Sequence, residues 1–284
     1  MNENLPFKIT INDWLADATR QLVFAQVPSA RLDAELLLAH TVRKPRTWLH
    51  SHGDELLDER RLEIARARLD LRLDRVPVAY IIGHKEFYGR TFKVTTATLI
   101  PRPESETLIE LLKELLPRNE ALLTERPLRL VDVGTGSGCL GITAKLEHPE
   151  LEVALVDTSR HALKIAEENA HALHADVECL QGDLLTSYPY QADVIIANLP
   201  YVNPEWERSP ETNHEPSLAL FAEQNGLALI NQLLLQTKDK LAIGGKIILE
   251  ADPEQHNAIA KEAKKYHLIL HTQRDYGIVF EKLA

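Results

Sequence analysis

Residues 268–283 read "LILHTQRDYGIVFEKL". Two extended apolar runs, "LILHTQ" and "GIVFEKL", are joined by nothing longer than "RDYG". A parallel crossover needs a dozen or more residues, so the runs must pair antiparallel and the last strand is antiparallel. The preceding residues follow a different pattern, in which short apolar strands alternate with helices. "RLVDVG" (129–134) is a strand, "GCLGITAKLEH" (138–148) a helix, "EVALVD" (152–157) a strand and "RHALKIAEENAHAL" (160–173) a helix. Strands "VECLQGD" (177–183) and "ADVIIANLPY" (192–201), a helix around 226–241, the turn Gly244-Gly245, strand "KIILEA" (246–251) and a helix around 254–265 follow. Such alternation builds a parallel sheet with helices on both faces. The expected fold class is α/β, a mostly parallel seven-stranded sheet whose last strand is antiparallel.

Before residue 76 the chain is helical in character. Apolar residues recur at helical spacing at Trp14, Leu15 and Ala18, at Leu32, Leu36, Leu37 and Ala39, and at Leu62, Ala65, Leu69 and Leu73. Asn12 and Ser29 are the expected N-caps of the first two helices. Residues 1–76 therefore read as a small helical bundle. In "RRLEIARARLDLRLDR" (60–75) six arginines share a helix with three acids; this fits a solvated face with intrahelical ion pairs, or a docking face for an acidic partner. Residues 77–100, "PVAYIIGHKEFYGRTFKVTTATLI", are β-branched and aromatic, with Gly83-His84 between two extended runs, and read as a hairpin linker. In "PRPESETLIELLKELL" two prolines fix the entry to a helix starting after Pro103, which opens a second domain over 101–284. The stretch 117–127 reads as a surface loop.

A chain of 284 residues, 44% hydrophobic, can hold one large or two ordinary domains. Its net charge of −10 argues against a broad electrostatic grip on nucleic acid. No apolar run approaches a membrane span, and no basic segment leads into an apolar leader. A cytoplasmic, monomeric protein is expected. Cys139 and Cys179 sit in no C-x-x-C setting and read as small core residues. The histidines show no ligand spacing, so no metal is predicted.

The first chemical signal is Asp132-Val133-Gly134-Thr135-Gly136-Ser137-Gly138. Its glycines let the backbone turn off the first strand and approach a ligand, and the following helix offers unpaired N–H groups. Asp157 closes the second strand, where a carboxylate can accept both hydroxyls of a ribose. A nucleoside cofactor follows. Gly136-x-Gly138-x-x-Gly141 also matches the dinucleotide fingerprint, but a carboxylate at Asp132 disfavours a pyrophosphate and suits the cationic groups of S-adenosylmethionine.

The second signal is Asn198-Leu199-Pro200-Tyr201, at the carboxyl end of the fourth strand. Asn198 offers a carbonyl acceptor, and Leu199, held extended because it precedes proline, offers its backbone carbonyl. Pro200 stiffens the turn and Tyr201 supplies a flat face. Two acceptors and a ring suit a planar NH2 group. Such a nitrogen is a poor nucleophile, so catalysis would rest on orientation and on acceptors that match developing positive charge.

The parallel sheet closed by an antiparallel hairpin resembles the Rossmann-like domain of class I methyltransferases. The order of helical domain, "EFYGRTFKV", "LIPRPESETLIE", glycine loop, "NLPYV" and "HEPSLAL" is similar to that of the HemK/PrmC-type peptide chain release factor glutamine methyltransferases. The resemblance implies transfer of a methyl group from S-adenosyl-L-methionine to the glutamine of the Gly-Gly-Gln loop of class I release factors, with residues 1–76 recognising the protein substrate. It assigns the cofactor to Gly134, Thr135, Gly136, Ser137, Gly138, Asp157, Asp183, Leu184 and Asn198, with Asp183 facing the adenine amino group and Leu184 covering the ring. It assigns catalysis to Asn198, Pro200 and Tyr201, and substrate binding to Asn198, Leu199, Pro200 and Tyr201. As a plain reading, Asp183 is equally a turn cap.

The chain departs from the family at Leu199, where Pro is usual, and at Leu184, where an aromatic is common. Asn-Leu-Pro-Tyr also occurs in ribosomal RNA adenine dimethylases, which makes an adenine amino group the alternative substrate, beside a ribosomal protein glutamine. The helical part comes first here and last in the RNA enzymes. Arg102 either clamps the cofactor's carboxylate or neutralises Glu104 and Glu106. Glu215 either shapes the substrate mouth or caps a turn.

Overall fold

The computed structural model describes residues 8–116, 126–203, 205–206 and 208–284; the loop expected at 117–127 lies mostly outside them. The described residues form two compact units. One runs to Gly83 and includes Pro210–His214; the other holds His84–Ser209 and Glu215–Ala284.

The first unit is helical: α1 (Ile11–Phe24), α2 (Ala30–Val42), α3 (Arg46–Ser51), α4 (Glu59–Leu73) and α5 (Val78–Ile82). Trp14, Leu15, Ala18 and Leu22 of α1 bury against Ala34, Leu37 and Leu38 of α2 and Ala65 and Leu69 of α4. The cap of α1 is Thr10, not Asn12. Thr10 Oγ1 accepts the Asp13 amide at 3.1 Å while Asp13 Oδ2 accepts the Thr10 amide at 3.1 Å, a reciprocal box that leaves Asn12 inside the helix. Ser29 precedes α2 but makes no capping bond with its side chain, and Leu32 is exposed rather than buried.

Two further expectations change here. Val78–Ile82 is helical, not extended: Pro77 pre-sets the first turn and Gly83, at φ +80°, closes it, and this punctuation outweighs the β-branched composition. The arginines of α4 are also not all solvated. Arg72 is buried, with Nε 2.7 Å from Asp33 Oδ2 and Nη2 2.8 Å from Glu211 Oε1. Arg75 binds Glu211 Oε2 at 2.9 Å, and Arg68 donates to Thr41 Oγ1 at 2.7 Å. Arg72 thus organises the unit from within, with the half-buried Arg68 and, just past α4, Arg75 beside it.

The second unit opens with a hairpin, β1 (His84–Phe87) and β2 (Arg90–Lys93). Tyr88 and Gly89, at φ +51° and +70°, form the two-residue turn whose left-handed backbone matches strand twist. Phe87 and Phe92 pack edge to face, 6.1 Å between ring centres. After a short 3-10 turn at Pro103–Ser105 come α6 (Glu106–Leu115), β3 (Arg129–Val133), α7 (Cys139–Glu147), β4 (Glu152–Asp157), α8 (Arg160–Ala172), β5 (Glu178–Gln181) and β6 (Ala192–Ala197). Then follow α9 (Ala228–Lys240), β7 (Leu241–Glu250), α10 (His256–Ala263), β8 (Leu268–Arg274) and β9 (Gly277–Lys282).

The seven strands lie in the order β5-β4-β3-β6-β7-β9-β8. All pairings are parallel except those of β9, antiparallel to both β7 and β8. Alternate residues face opposite sides. Val131, Val133, Val156, Ile195, Ile247 and Leu249 pack with α9 and α10, whereas Leu130, Leu155, Val194, Ile196 and Ile248 pack with α6, α7 and α8. Burial on both faces explains the continuous apolar runs in the sequence. Gly244-Gly245 is a bulge inside β7 rather than a turn before it.

Candidate active site

Strand order reverses between β3 and β6, and ligand crevices of parallel sheets open at the carboxyl ends beside such a reversal. Val133 is in register with Val156 and Ala197, which brings Gly134, Asp157 and Asn198 to one edge. A cavity of about 230 Å³ opens there. It is lined by Gly134, Thr135, Gly136 and Ser137, by Asp157, by Asp183 and Leu184, by Asn198, Leu199 and Pro200, and by the linker residues Ala97–Leu99, Pro101, Arg102 and Ser105.

The glycine loop is held from the neighbouring strand. The amides of Gly134 and Thr135 both donate to the Val156 carbonyl, at 2.9 and 3.0 Å, and the Gly136 amide donates to Asp157 Oδ2 at 2.9 Å. Asp157 Oδ1 accepts the Ser159 amide at 2.8 Å. Burial pushes the Asp157 carboxyl up, and the amides of Ser159, Gly136 and Thr158 oppose the rise. Gly136 sits at φ +56°, and a Cβ on it would come no nearer than 4.0 Å to any atom beyond its neighbours, so it would project into the cavity. Asp132 plays a different part from the one its position suggests. Its Oδ2 accepts Thr135 Oγ1 at 2.6 Å and the Gly141 amide at 2.9 Å, so it braces the loop from beneath without lining the cavity. Burial pushes its carboxyl up to about 6.

At the other end, Asn198 Nδ2 donates to Ser105 Oγ at 3.0 Å. The Leu199 carbonyl takes no hydrogen bond from any described residue. The Leu199 side chain, buried, packs on the glycine loop so closely that a Cβ at Gly134 would lie 2.8 Å from its Cδ2. Tyr201 stands outside the cavity lining; its hydroxyl donates to Glu250 Oε1 at 3.1 Å. Burial raises the Tyr201 phenol well above its ordinary value, reinforced by the neighbouring Glu250 charge. Gln255 Nε2 donates to the Tyr201 carbonyl at 2.9 Å and the Asn225 carbonyl at 2.8 Å, which fixes the turn after β6.

Residues 13–83 match the PrmC N-terminal domain and residues 108–215 the methyltransferase small domain. The release factor glutamine methyltransferase of Koribacter versatilis is 39% identical over 259 residues, covering 86% of this chain and 89% of the relative. That of Escherichia coli is 33% identical over 273 residues, covering 93% and 94%. The chain belongs to the release factor glutamine methyltransferase family. The catalytic domain of hMettl16, solved with a MAT2A 3′UTR hairpin, shares the fold at a TM-score of 0.52 and 14% identity, covering 81% of this chain and 85% of that one. The Thermus thermophilus 16S rRNA N2 G1207 methyltransferase, solved with AdoMet and guanosine, does so at 0.51 and 16%, covering 71% and 50%.

As a member of this family the chain uses S-adenosylmethionine as methyl donor, and the cavity fits that group. It combines a backbone cradle that a Cβ at Gly136 would fill, a carboxylate at Asp157 and an apolar wall at Leu184. Leu184 holds φ +50°, a left-handed backbone uncommon outside glycine, asparagine and aspartate. Gly138, at φ +82°, opens α7 and packs toward Ile142 and Ala166 instead of lining the cavity. Cys139 does line it, with its thiol pushed up to about 12 by burial, so it stays protonated and inert. Arg102 lines the cavity and pairs with Glu215, not with Glu104 or Glu106. Glu215 also accepts the Ile100 amide at 3.1 Å, so it pins the linker instead of capping a turn.

Sequence reading missed Ser105, Asn169 and Glu250. Ser105 lies within "LIPRPESE", and Glu250 is the carboxylate that closes the apolar run in "KIILE"; both signals were visible without their partners. Asn169 carried no signal, being one polar residue on a helix of many.

Proposed function

We propose that this chain transfers the methyl group of S-adenosylmethionine to the side-chain amide nitrogen of the glutamine in the Gly-Gly-Gln motif of class I peptide chain release factors. One observation carries the reading: a single cavity joins the glycine loop and Asp157 to the two acceptors at Asn198 and Leu199. The family name of relatives that cover most of this chain supports the substrate.

In this reading Gly134, Thr135, Gly136 and Ser137 cradle the donor, Gly138 starts the helix that ends the cradle, and Asp157 accepts its ribose hydroxyls. Asp183 faces the adenine amino group and Leu184 covers the ring. The donor supplies an electrophilic methyl group. Asn198 Oδ1 and the Leu199 carbonyl each take one hydrogen of the substrate NH2, which turns the nitrogen toward that methyl group. Pro200 holds Leu199 extended, and Tyr201, anchored on Glu250, backs the turn. As positive charge grows on the nitrogen, two carbonyl acceptors in a water-poor cavity stabilise it. The titratable groups that line the cavity are Arg102, Cys139, Asp157 and Asp183, and none is needed as a base, because a methylated amide cation is acidic enough to release its proton to water. Orientation carries the rate.

The net charge of −10 supports a protein substrate over a nucleic acid. Among the described residues no helix is long and apolar enough to cross a membrane; the same reading has the chain working as a cytoplasmic monomer, with its helical unit recognising the factor. The test is to offer methyl-labelled donor with an unmethylated class I release factor, with the same factor lacking the Gly-Gly-Gln glutamine, and with unmodified ribosomal RNA. Label on the intact factor alone is expected. Label on RNA would overturn the reading in favour of an adenine amino group.

A further inference from the structure

The Asn198 side chain has one nitrogen and one oxygen, and only one of them can face a substrate. Nδ2 donates to Ser105 Oγ at 3.0 Å. That contact alone does not orient the amide, because a serine hydroxyl donates as readily as it accepts. The orientation depends on where the Ser105 proton goes. Ser105 is 2% exposed, and among the described residues its hydroxyl has no acceptor within hydrogen-bond geometry. Glu250, also 2% exposed, closes β7 within interaction range of the Ser105 side chain. Glu250 Oε1 takes the Tyr201 hydroxyl at 3.1 Å, while Oε2 is buried and has no donor. Burial pushes this carboxyl up, and the side chains of Ser105, Tyr201 and Asn198 around it favour its ionised form. A donor without an acceptor and an acceptor without a donor therefore stand side by side.

We propose that Glu250 and Ser105 are positioning residues that set the polarity of Asn198 and so select an amide over a carboxylate. Glu250 takes the Ser105 proton in a hydrogen bond. Ser105 Oγ is then left as an acceptor and takes Asn198 Nδ2. Asn198 Oδ1 is turned into the cavity, where a glutamine NH2 can meet it and the isosteric glutamate cannot. A site built to bind an N–H rejects an analogue lacking it far better than apolar packing does, because its own polar groups are left unpaired. This inference rests on the proposed glutamine substrate and names what enforces it.

The experiment uses the full chain, S-adenosylmethionine and an unmethylated class I release factor, with Ser105→Ala, Ser105→Thr and Glu250→Gln beside the wild type. Ser105→Ala and Glu250→Gln are expected to lower kcat roughly 10- to 100-fold by loosening a positioned group. Donor affinity, read by calorimetry, should stay unchanged, and Ser105→Thr should keep most of the activity. Calorimetry with a Gly-Gly-Gln peptide and its Gly-Gly-Glu counterpart, in the presence of S-adenosylhomocysteine, should show the wild type's preference for glutamine narrowing in Ser105→Ala and Glu250→Gln. Wild-type kcat and preference in Ser105→Ala would overturn the inference. So would a Ser105→Thr variant as impaired as Ser105→Ala while binding the donor normally. If Glu250→Gln does not fold, the two serine variants decide. A wild type that leaves the factor unlabelled rejects the proposed substrate instead, so the two failures are distinguishable.

Discussion

Asn169, on α8, donates from Nδ2 to the Ser137 carbonyl at 2.8 Å and so ties the glycine loop to the hairpin. The same amide nitrogen donates to the Lys93 carbonyl at 3.0 Å, and its Oδ1 accepts the Lys93 amide at 2.7 Å. One buried side chain satisfies three backbone groups from two segments that no strand pairing connects. Asn169→Ala leaves those groups unpaired, at a cost of about 1–3 kcal/mol. S-adenosylmethionine affinity should fall roughly tenfold, about 1.4 kcal/mol, because the cradle loses its brace. Chemical denaturation and calorimetry check the two halves separately, and unchanged donor binding would disconnect Asn169 from the site.

Gly136 and Gly244 both hold a left-handed backbone, at φ +56° and +77°. A Cβ at Gly244 meets nothing within 4 Å, and Gly244 lies outside the cavity. Each Gly→Ala change should therefore carry a backbone penalty of about 1 kcal/mol. Only Gly136→Ala should also obstruct the donor. Melting curves should move alike, while donor affinity should collapse in one and persist in the other.

Asp132 gives a pH signature. Its carboxyl stands at about 6 in the folded protein because burial disfavours the charge, against an ordinary value of 3.8. Between those values the folded chain holds a proton that the unfolded chain has released, so stability contributed by this group falls as pH rises through that window and levels off above about 6. The full difference is on the order of 3 kcal/mol. Asp132→Asn keeps the acceptor for Thr135 and Gly141 and removes the titration. Unfolding free energies measured across the window should show a descending component in the wild type that the variant lacks; parallel curves would refute it.

Arg72 and Arg66 share α4 but not an environment. Arg72 is buried between Asp33 and Glu211, whereas Arg66 is exposed. Arg72→Met leaves the buried Asp33 carboxylate without its counter-ion, while Glu211 keeps Arg75, and should destabilise the chain by about 3–5 kcal/mol. Arg66→Met should change stability by less than about 0.5 kcal/mol. Urea midpoints of the two variants make the comparison.

The strands, the antiparallel closing pair, the glycine loop, Asp157 and the Asn198-Leu199-Pro200-Tyr201 turn were all legible as sequence, because each is a local pattern of alternation, punctuation or backbone freedom. Reading by composition failed where punctuation contradicted it, as at Val78–Ile82, bounded by Pro77 and Gly83. It also failed where a side chain's direction mattered. Tyr201 was expected to offer its face to the substrate, yet it stands outside the cavity lining with its hydroxyl on Glu250. Asp132 was expected to meet the cofactor, and it braces the loop from below.

By itself, then, the amino-acid order determined most of the strands and helices and which turns end the strands beside the cavity, since propensity and burial act over a few residues. Only the tertiary structure decided which polar groups complete the site. Ser105 and Asn198 are 93 positions apart, and Tyr201 and Glu250 are 49 apart. The pairing of β6 with β7 brings Tyr201 to Glu250, and the turn at Pro103–Ser105 brings Ser105 to Asn198; both are properties of the assembled unit. The inward arginines of α4 have the same origin, because a helix face is buried or solvated only once its neighbours are in place.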